Sequence, residues 1–185
     1  MNILVTAASK HGSTAEIAEA VASTLRVHGH DVVVCAPERV VGLSGFDCVV
    51  IGSALYTGGW VREARQFVGR FASDLQGRWI WLFSSGPVGD PMFPATQDLD
   101  IGPILGRTGA YEHVVFPGRL AASGLTLGER LAVRAAGVEA GDYRDWDAVR
   151  AWAERIDAVM SAAPPVGVTT TRVRGGSDED DRAFH

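Results

Sequence analysis

Short apolar runs alternate with segments of helical periodicity along most of the chain, and this alternation constrains the fold more than any other feature. Five runs have the length and composition of strands, at 2–6, 31–35, 47–53, 79–84 and 111–116. Three segments repeat apolar residues at helical spacing, at 13–26, 61–75 and 146–159. Strands that alternate with helices form right-handed crossovers and a parallel sheet covered on both faces. The pattern therefore predicts an α/β three-layer sandwich with a five-stranded parallel sheet, and five strands fit 2-1-3-4-5, one of the two common orders of doubly wound sheets.

Length and charge narrow the class of protein. The chain has 185 residues and a net charge of −5 without a basic block, which fits one globular domain and argues against a nucleic-acid surface. We predict a domain over 1–162 and a disordered tail over 163–185, because the last segment lacks periodicity. No apolar stretch approaches the roughly 18 residues that a membrane span needs. The sequence thus indicates a cytoplasmic protein without a transmembrane segment, and it leaves a peripheral membrane contact open.

The cysteines and histidines do not suggest a metal site or a disulfide framework. Cys35 and Cys48 lie in apolar, strand-like runs, where a small buried thiol is the common interpretation. The histidines are scattered along the chain, and we expect them to be solvated surface residues. A zinc site would need Cys or His at short spacing, so no metal is predicted.

A loop rich in small and hydroxyl residues follows the first strand and leads into the first helix. Its candidate binding residues are Ser9, Lys10, His11, Gly12, Ser13 and Thr14. Free amides at a helix start, hydroxyl groups and the positive end of the helix dipole bind a phosphate dianion well. Ser13 and Glu16 also match a capping box, so a simple helix cap and turn is an equal alternative. The loop lacks GxxxxGK[ST], GxGxxG and a cysteine, which argues against a triphosphatase, a dinucleotide site and a cysteine phosphatase.

Two further loops, after the third and fourth predicted strands, are rich in glycine and small residues. The candidates are Ser53, Ala54, Leu55, Tyr56, Thr57 and Gly58 in one loop and Ser85, Gly86, Pro87, Val88 and Gly89 in the other. In an open parallel sheet, ligands bind beyond the carboxyl ends of the strands where the winding reverses. Small residues let amides approach a flat polar ligand, and Leu55, Tyr56 or Trp60 is a candidate to cover a ring. Together with the phosphate loop, these loops predict an FMN site. Because the flavin itself would carry the redox chemistry, no catalytic residue is predicted.

Three segments of the chain resemble a known family. SKHGSTAEIAEAVA, VVIGSALYTGGWVREARQFV and YRDWDAVRAWAERI are similar to segments of the flavodoxin-domain family that includes menaquinone-dependent protoporphyrinogen oxidase. The resemblance implies a flavodoxin-like fold with FMN as cofactor, its phosphate held by residues 9–14 and its ring bordered by 53–58 and 84–89. It also implies a flavoprotein oxidoreductase or electron-transfer protein, whose partner is a redox protein or a small quinone-type substrate.

Departures from the family pattern bear on the substrate. The oxidase carries an Arg and a Tyr where this chain has Tyr56 and Thr57, and it has a basic, aromatic insertion before the last helix. The corresponding stretch here, 117–141, contains no aromatic residue. These differences argue against protoporphyrinogen as substrate more than against FMN. The alternative is a flavodoxin-like binding or regulatory domain that has lost FMN or binds a deazaflavin.

Overall fold

The structure, a computed structural model, describes residues 1–56, 59–86, 100–120 and 139–162, with the single positions 128, 131, 134, 135 and 137. Its elements are β1 (Asn2–Ala8), α1 (Ser13–Val27), β2 (Asp31–Cys35), a 3₁₀ turn (Pro37–Arg39), β3 (Cys48–Tyr56), β4 (Gly59–Trp60), α2 (Arg62–Arg70), α3 (Ala72–Leu75), β5 (Trp79–Ser85), α4 (Gly102–Thr108), β6 (Glu112–Phe116), β7 (Arg119–Leu120), β8 (Gly141–Asp142) and α5 (Trp146–Ala162). The predicted tail over 163–185 and the candidates Thr57, Gly58, Pro87, Val88 and Gly89 lie outside the described residues.

The central sheet has the predicted topology. Its parallel strands are ordered β2-β1-β3-β5-β6, which is 2-1-3-4-5 when the parallel strands alone are numbered. The short β4 is an addition that pairs antiparallel with β3, and β7 and β8 form a separate two-stranded ribbon. The α/β fold with a parallel sheet is therefore confirmed.

Helices cover the sheet on both faces because its strands present apolar residues to both sides. Side chains alternate in direction along a strand. One set, which includes Ile3, Val50 and Trp81, packs with the apolar faces of α1 and α5. The opposite set, which includes Leu4 and Val49, packs with α2 and α4. Strands buried on both sides explain the continuous apolar runs of the sequence.

The boundaries of several elements differ from the prediction. The segment predicted as one helix over 61–75 divides at Phe71, whose backbone leaves helical geometry at φ −108° and ψ 15°. The apolar period continues across the break because Phe67, Phe71 and Leu75 are all buried in one cluster. Strands β1, β3 and β5 run further at their carboxyl ends than predicted. Ala54 to Tyr56, expected in the loop after the third strand, are therefore strand residues.

Two histidines are not the solvated surface residues that were expected. His30 is 9% exposed in its side chain, and its Nε2 lies 2.9 Å from Asp157 Oδ1. His113 Nε2 lies 2.8 Å from the hydroxyl of buried Ser84. In both cases the partner is distant in sequence, so the local pattern gives no sign of it. Both cysteines are free thiols, and the expected small buried thiol is found at Cys48, whose pKa is raised by burial, whereas Cys35 is only partly buried.

Candidate functional site

The carboxyl ends of three neighbouring strands meet at one edge of the sheet. Ala8 of β1 is in register with Ser53 of β3, and Ala54 of β3 is in register with Ser85 of β5. The residues that follow β1 and β5 and the last residues of β3 are thereby brought together. Among the described residues, all the candidate binding residues from the three predicted loops lie at this edge.

A glycine, and not the predicted serine, forms the N-cap of α1. Gly12 has φ +84° and ψ −23°, in the left-handed region that favours glycine, and Glu16 N donates to Gly12 O at 3.0 Å. Ser13 is the first helical residue, and its Oγ accepts from Arg119 N at 3.2 Å. The capping box is therefore wrong, although α1 does begin just after Gly12. The turn directs the first amides of α1 to the edge of the sheet.

Buried hydroxyl groups without partners lie at the same edge. In the described part of the chain, five buried side-chain N or O atoms have no hydrogen-bond partner, and Ser9 Oγ and Ser85 Oγ are two of them. Thr14, in the first turn of α1, is 2% exposed. Burial of an unpaired hydroxyl costs free energy, so such groups are normally satisfied by a ligand or an ordered water. The two serines offer hydrogen bonds to a polar ligand at this edge.

Tyr56 connects the end of β3 with the loop after β1. Lys10 Nζ lies 4.3 Å from the centroid of the Tyr56 ring, and the His11 ring centroid lies 6.4 Å from it. The first contact is a cation–π interaction. It places a positive charge and two rings between the helix start and the strand end.

The other candidates to cover a ring are committed to the protein interior. Leu55 is 6% exposed and Trp60 is 2% exposed, and Trp60 Nε1 donates to Ser84 Oγ at 2.7 Å. Ser53 Oγ donates to Ala54 O at 2.8 Å and accepts from Val61 N at 3.0 Å. These groups therefore lie in the interior behind the sheet edge and pack or hydrogen-bond there. The hypothesis that Leu55 or Trp60 covers a ring is not supported.

Close backbone approach requires glycine at the end of β5. Gly86 has φ +154°, and a Cβ placed there would lie 3.2 Å from Leu55 Cβ and 3.3 Å from Leu55 N and O. A Cβ on Gly118 would lie 3.0 Å from Gly86 Cα. Three backbone segments thus stack without side chains between them. A larger residue would move the end of β5 away from β3.

An ion-pair network, which the sequence did not predict, ties the β7–β8 ribbon to the first turn of α1. The side chain of Arg144 is 3% exposed, and it lies 2.6 Å from both Glu16 Oε2 and Asp142 Oδ2. Arg119 Nη2 lies 3.0 Å from Glu16 Oε1. The hydrogen bond from Arg144 is the largest cause that lowers the pKa of Glu16 and of Asp142. Glu16 is distant in sequence from Arg119 and Arg144, so no local pattern indicates these two pairs, whereas Asp142 and Arg144 are two residues apart.

Replacing Arg144 with glutamine is expected to lower the stability near neutral pH by about 1 kcal/mol, a value that allows for the exposure of both carboxylates. Because their pKa values are lowered in the folded state, Glu16 and Asp142 stabilise the protein above their unfolded pKa values of about 4, and this is lost as the pH falls. Urea unfolding between about pH 7 and pH 3 should therefore show a weaker acid dependence in the variant.

The matched control for Arg144 is Arg155→Gln. Arg155 lies 3.6 Å from Glu112, and its side chain is 56% exposed, so its removal should change stability little. Equal pH profiles for wild type and Arg144→Gln would contradict the role assigned to the network.

The described residues add two negative findings. They contain no group of three or more His, Cys, Asp or Glu side chains that could hold a metal ion. Among the described helices, none combines the length and apolar character required to cross a membrane.

Comparison with known proteins assigns the family. A family model described as flavodoxin domain matches residues 4–147, and the chain belongs to this family. No match is found among curated proteins. The closer resemblance to menaquinone-dependent protoporphyrinogen oxidase stays a prediction.

Solved structures share the fold at low sequence identity. The flavodoxin of Streptococcus pneumonia TIGR4 is 20% identical with a TM-score of 0.59, over 86% of this chain and 99% of that one. Flavodoxin 2 from Bacillus cereus is 20% identical with a TM-score of 0.55, over 86% and 99%. The rubredoxin oxygen:oxidoreductase of Desulfovibrio gigas is 13% identical with a TM-score of 0.57, over 87% of this chain and 36% of that one. The chain thus spans about a third of that last protein.

Proposed function

We propose that the protein binds FMN at the carboxyl edge of its sheet and uses it in electron transfer. The observation that carries the proposal is the meeting, at one edge of a flavodoxin domain, of a helix start with the two buried, unpaired hydroxyls of Ser9 and Ser85. A phosphate ester and the polar rim of a flavin have the chemistry to satisfy hydroxyl groups of this kind. The residues present therefore fit FMN.

The phosphate would be held at the start of α1. Backbone amides after Gly12 point out of the helix, where the dipole favours an anion. Ser9 and Thr14 supply hydroxyl donors, and Ser13 Oγ, which accepts from Arg119 N, still has its own proton to donate. Lys10 adds positive charge.

The ring would be held between the end of β3 and the end of β5. Tyr56 is the aromatic candidate on the β3 side, and Ser85 and Gly86 are the polar and small residues on the β5 side. When bound, FMN supplies the redox chemistry by accepting and donating electrons. The chain's own part is to bind, to orient and to exclude water, and no side chain is assigned as a catalytic acid or base.

Two partner classes fit this site. The first is a small quinone-type substrate, with the protein as an oxidoreductase. Beside the α1 start, Arg119, Arg144 and Lys10 largely offset the carboxylates of Glu16 and Asp142, so these residues give no strong charge of one sign to steer a protein partner. An electron carrier that docks on a redox protein is supported by the flavodoxins, whose whole length this chain matches. A saturable oxidation of the reduced protein by a soluble naphthoquinone would select the enzyme, and a rate linear in quinone concentration would select the carrier.

The FMN proposal is tested by titrating apoprotein with FMN and, in parallel, with riboflavin, which lacks the phosphate. We expect FMN to bind at least about 100-fold more tightly, because charge-assisted hydrogen bonds to the dianion are lost with riboflavin. Quenching of flavin fluorescence measures both affinities. Equal affinities would contradict the phosphate site, and failure of both to bind would favour the domain that has lost its flavin.

A further inference from the structure

Three polar groups form a continuous hydrogen-bonded chain behind the proposed ring site. Trp60 Nε1 donates to Ser84 Oγ at 2.7 Å, and Ser84 Oγ lies 2.8 Å from His113 Nε2. Ser84 is fully buried, and Trp60 is 2% exposed. This Trp60–Ser84–His113 chain crosses from β4 through β5 to β6, and all three side chains make their hydrogen bonds with one another.

The donors and acceptors of the chain follow from the chemistry of its members. An indole N–H can only donate, so Ser84 Oγ is an acceptor towards Trp60. The serine hydroxyl has one proton of its own, and of its two partners in the described part of the molecule only His113 Nε2 can accept that proton. An imidazolium has no acceptor nitrogen, so this arrangement requires a neutral ring with its proton on Nδ1. Burial lowers the pKa of His113, which agrees with a neutral ring.

The chain joins the two strand ends that border the proposed ring. Ser84 immediately precedes Ser85 and Gly86, and it is in register with Ser53 on β3 and Val115 on β6. Trp60 pairs with Leu55, so the indole side chain fixes β4 and the end of β3 relative to β5. A substitution at His113 would therefore alter the positions of the strand ends on both sides of the proposed ring.

We infer that His113 is a positioning residue for the flavin ring: as a neutral acceptor it orients the Ser84 hydroxyl, and through Trp60 it sets the spacing between the ends of β3 and β5. The inference rests on the proposed function and adds a residue that touches neither the ring nor the phosphate. It concerns the ring end of the site, so its effect should appear with riboflavin as well as with FMN.

Two substitutions separate hydrogen bonding from packing. Glutamine at 113 presents a carbonyl oxygen that can accept from Ser84, whereas leucine fills similar space without an acceptor. We expect His113→Leu to weaken FMN and riboflavin binding by about tenfold each and to shift the flavin midpoint potential, since one buried hydrogen bond is lost. His113→Gln should restore binding to within about threefold of wild type.

A measurement on the apoprotein tests the proton arrangement without any flavin. Nitrogen-15 NMR of the histidine side chains should show His113 at neutral pH with its proton on Nδ1. The chemical shift of the Trp60 indole N–H should change in His113→Leu and remain unchanged in His113→Gln. His28→Leu is the control, because His28 lies at the C-cap of α1, away from the start of that helix. In this variant the Trp60 indole signal should not move.

The outcomes distinguish this inference from the function on which it rests. A proton on Nε2, a charged ring at neutral pH, or equal flavin affinity in His113→Leu would overturn the inference even if FMN binds. If wild-type protein takes up no flavin, the proposed function fails and the positioning role falls with it, while the NMR spectrum still decides the proton arrangement.

Discussion

Replacing both Ser9 and Thr14 with alanine is expected to weaken FMN binding by about 2 to 4 kcal/mol, because each substitution removes a hydrogen bond to a charged group. Ser9 Oγ is buried without a partner among the described residues, and Thr14 is 2% exposed in the first turn of α1. Fluorescence titration with FMN measures the loss, and riboflavin affinity should change little because it lacks the phosphate.

The control for the double variant is Thr24→Ala in the last turn of the same helix. Thr24 Oγ1 donates to Ala20 O at 3.1 Å, so this variant also removes a hydroxyl from α1, at the end away from the proposed phosphate. FMN affinity should stay within about twofold of wild type in the control. Undiminished FMN retention in the Ser9 and Thr14 double variant would refute the phosphate site.

Gly52→Ala is expected to destabilise the fold by about 3 kcal/mol or more, since overpacking a tight core forces side chains and backbone to move. A Cβ at Gly52 would lie 2.1 Å from Cζ and 2.4 Å from Cε1 of Phe83, its register partner on β5. The Phe83 side chain has little room to move, because its ring centroid lies 6.1 Å from that of Phe116 and 5.9 Å from that of Trp152. Urea unfolding followed by circular dichroism measures the loss.

Gly42→Ala is the matched control for Gly52, because nothing lies within 4 Å of its Cβ position and its backbone angle is not in the left-handed region. Its stability should stay within about 0.5 kcal/mol of wild type. Replacing the facing ring with a smaller side chain, by Phe83→Leu in the Gly52→Ala background, should recover part of the lost stability. A Gly52→Ala protein as stable as wild type would show that β3 and β5 are not packed as described.

The parallel sheet and its two helix layers were predictable because they depend on the alternation of strands and helices, which the sequence displays directly, and five strands fit the common order 2-1-3-4-5. The ends of the strands were less predictable. Strand β3 continues to Tyr56 because β4 pairs with it at Leu55 and Tyr56, and that pairing is decided by the tertiary fold. The same is true of Phe71, where the apolar period continues although the helix does not.

The candidate site shows a similar division. The three segments at the carboxyl edge were predicted from their small residues and from the rule for ligand positions in parallel sheets. The roles of individual residues were not predicted. The Trp60 indole donates to Ser84 in the interior, and the Ser53 hydroxyl hydrogen-bonds with Ala54 O and Val61 N. The pair of Arg144 with Glu16 and that of His113 with Ser84 gave no local signal, because in each pair the partner lies on another element of the chain.

A crystal structure of the protein grown with excess FMN tests the central proposal most directly. We expect the phosphate at the amides that follow Gly12, within hydrogen-bond distance of Ser9 and Thr14, and the ring between Tyr56 and Gly86. An edge of the sheet without FMN, or one filled by the protein's own side chains, would contradict the account and leave the flavodoxin fold as its remaining part.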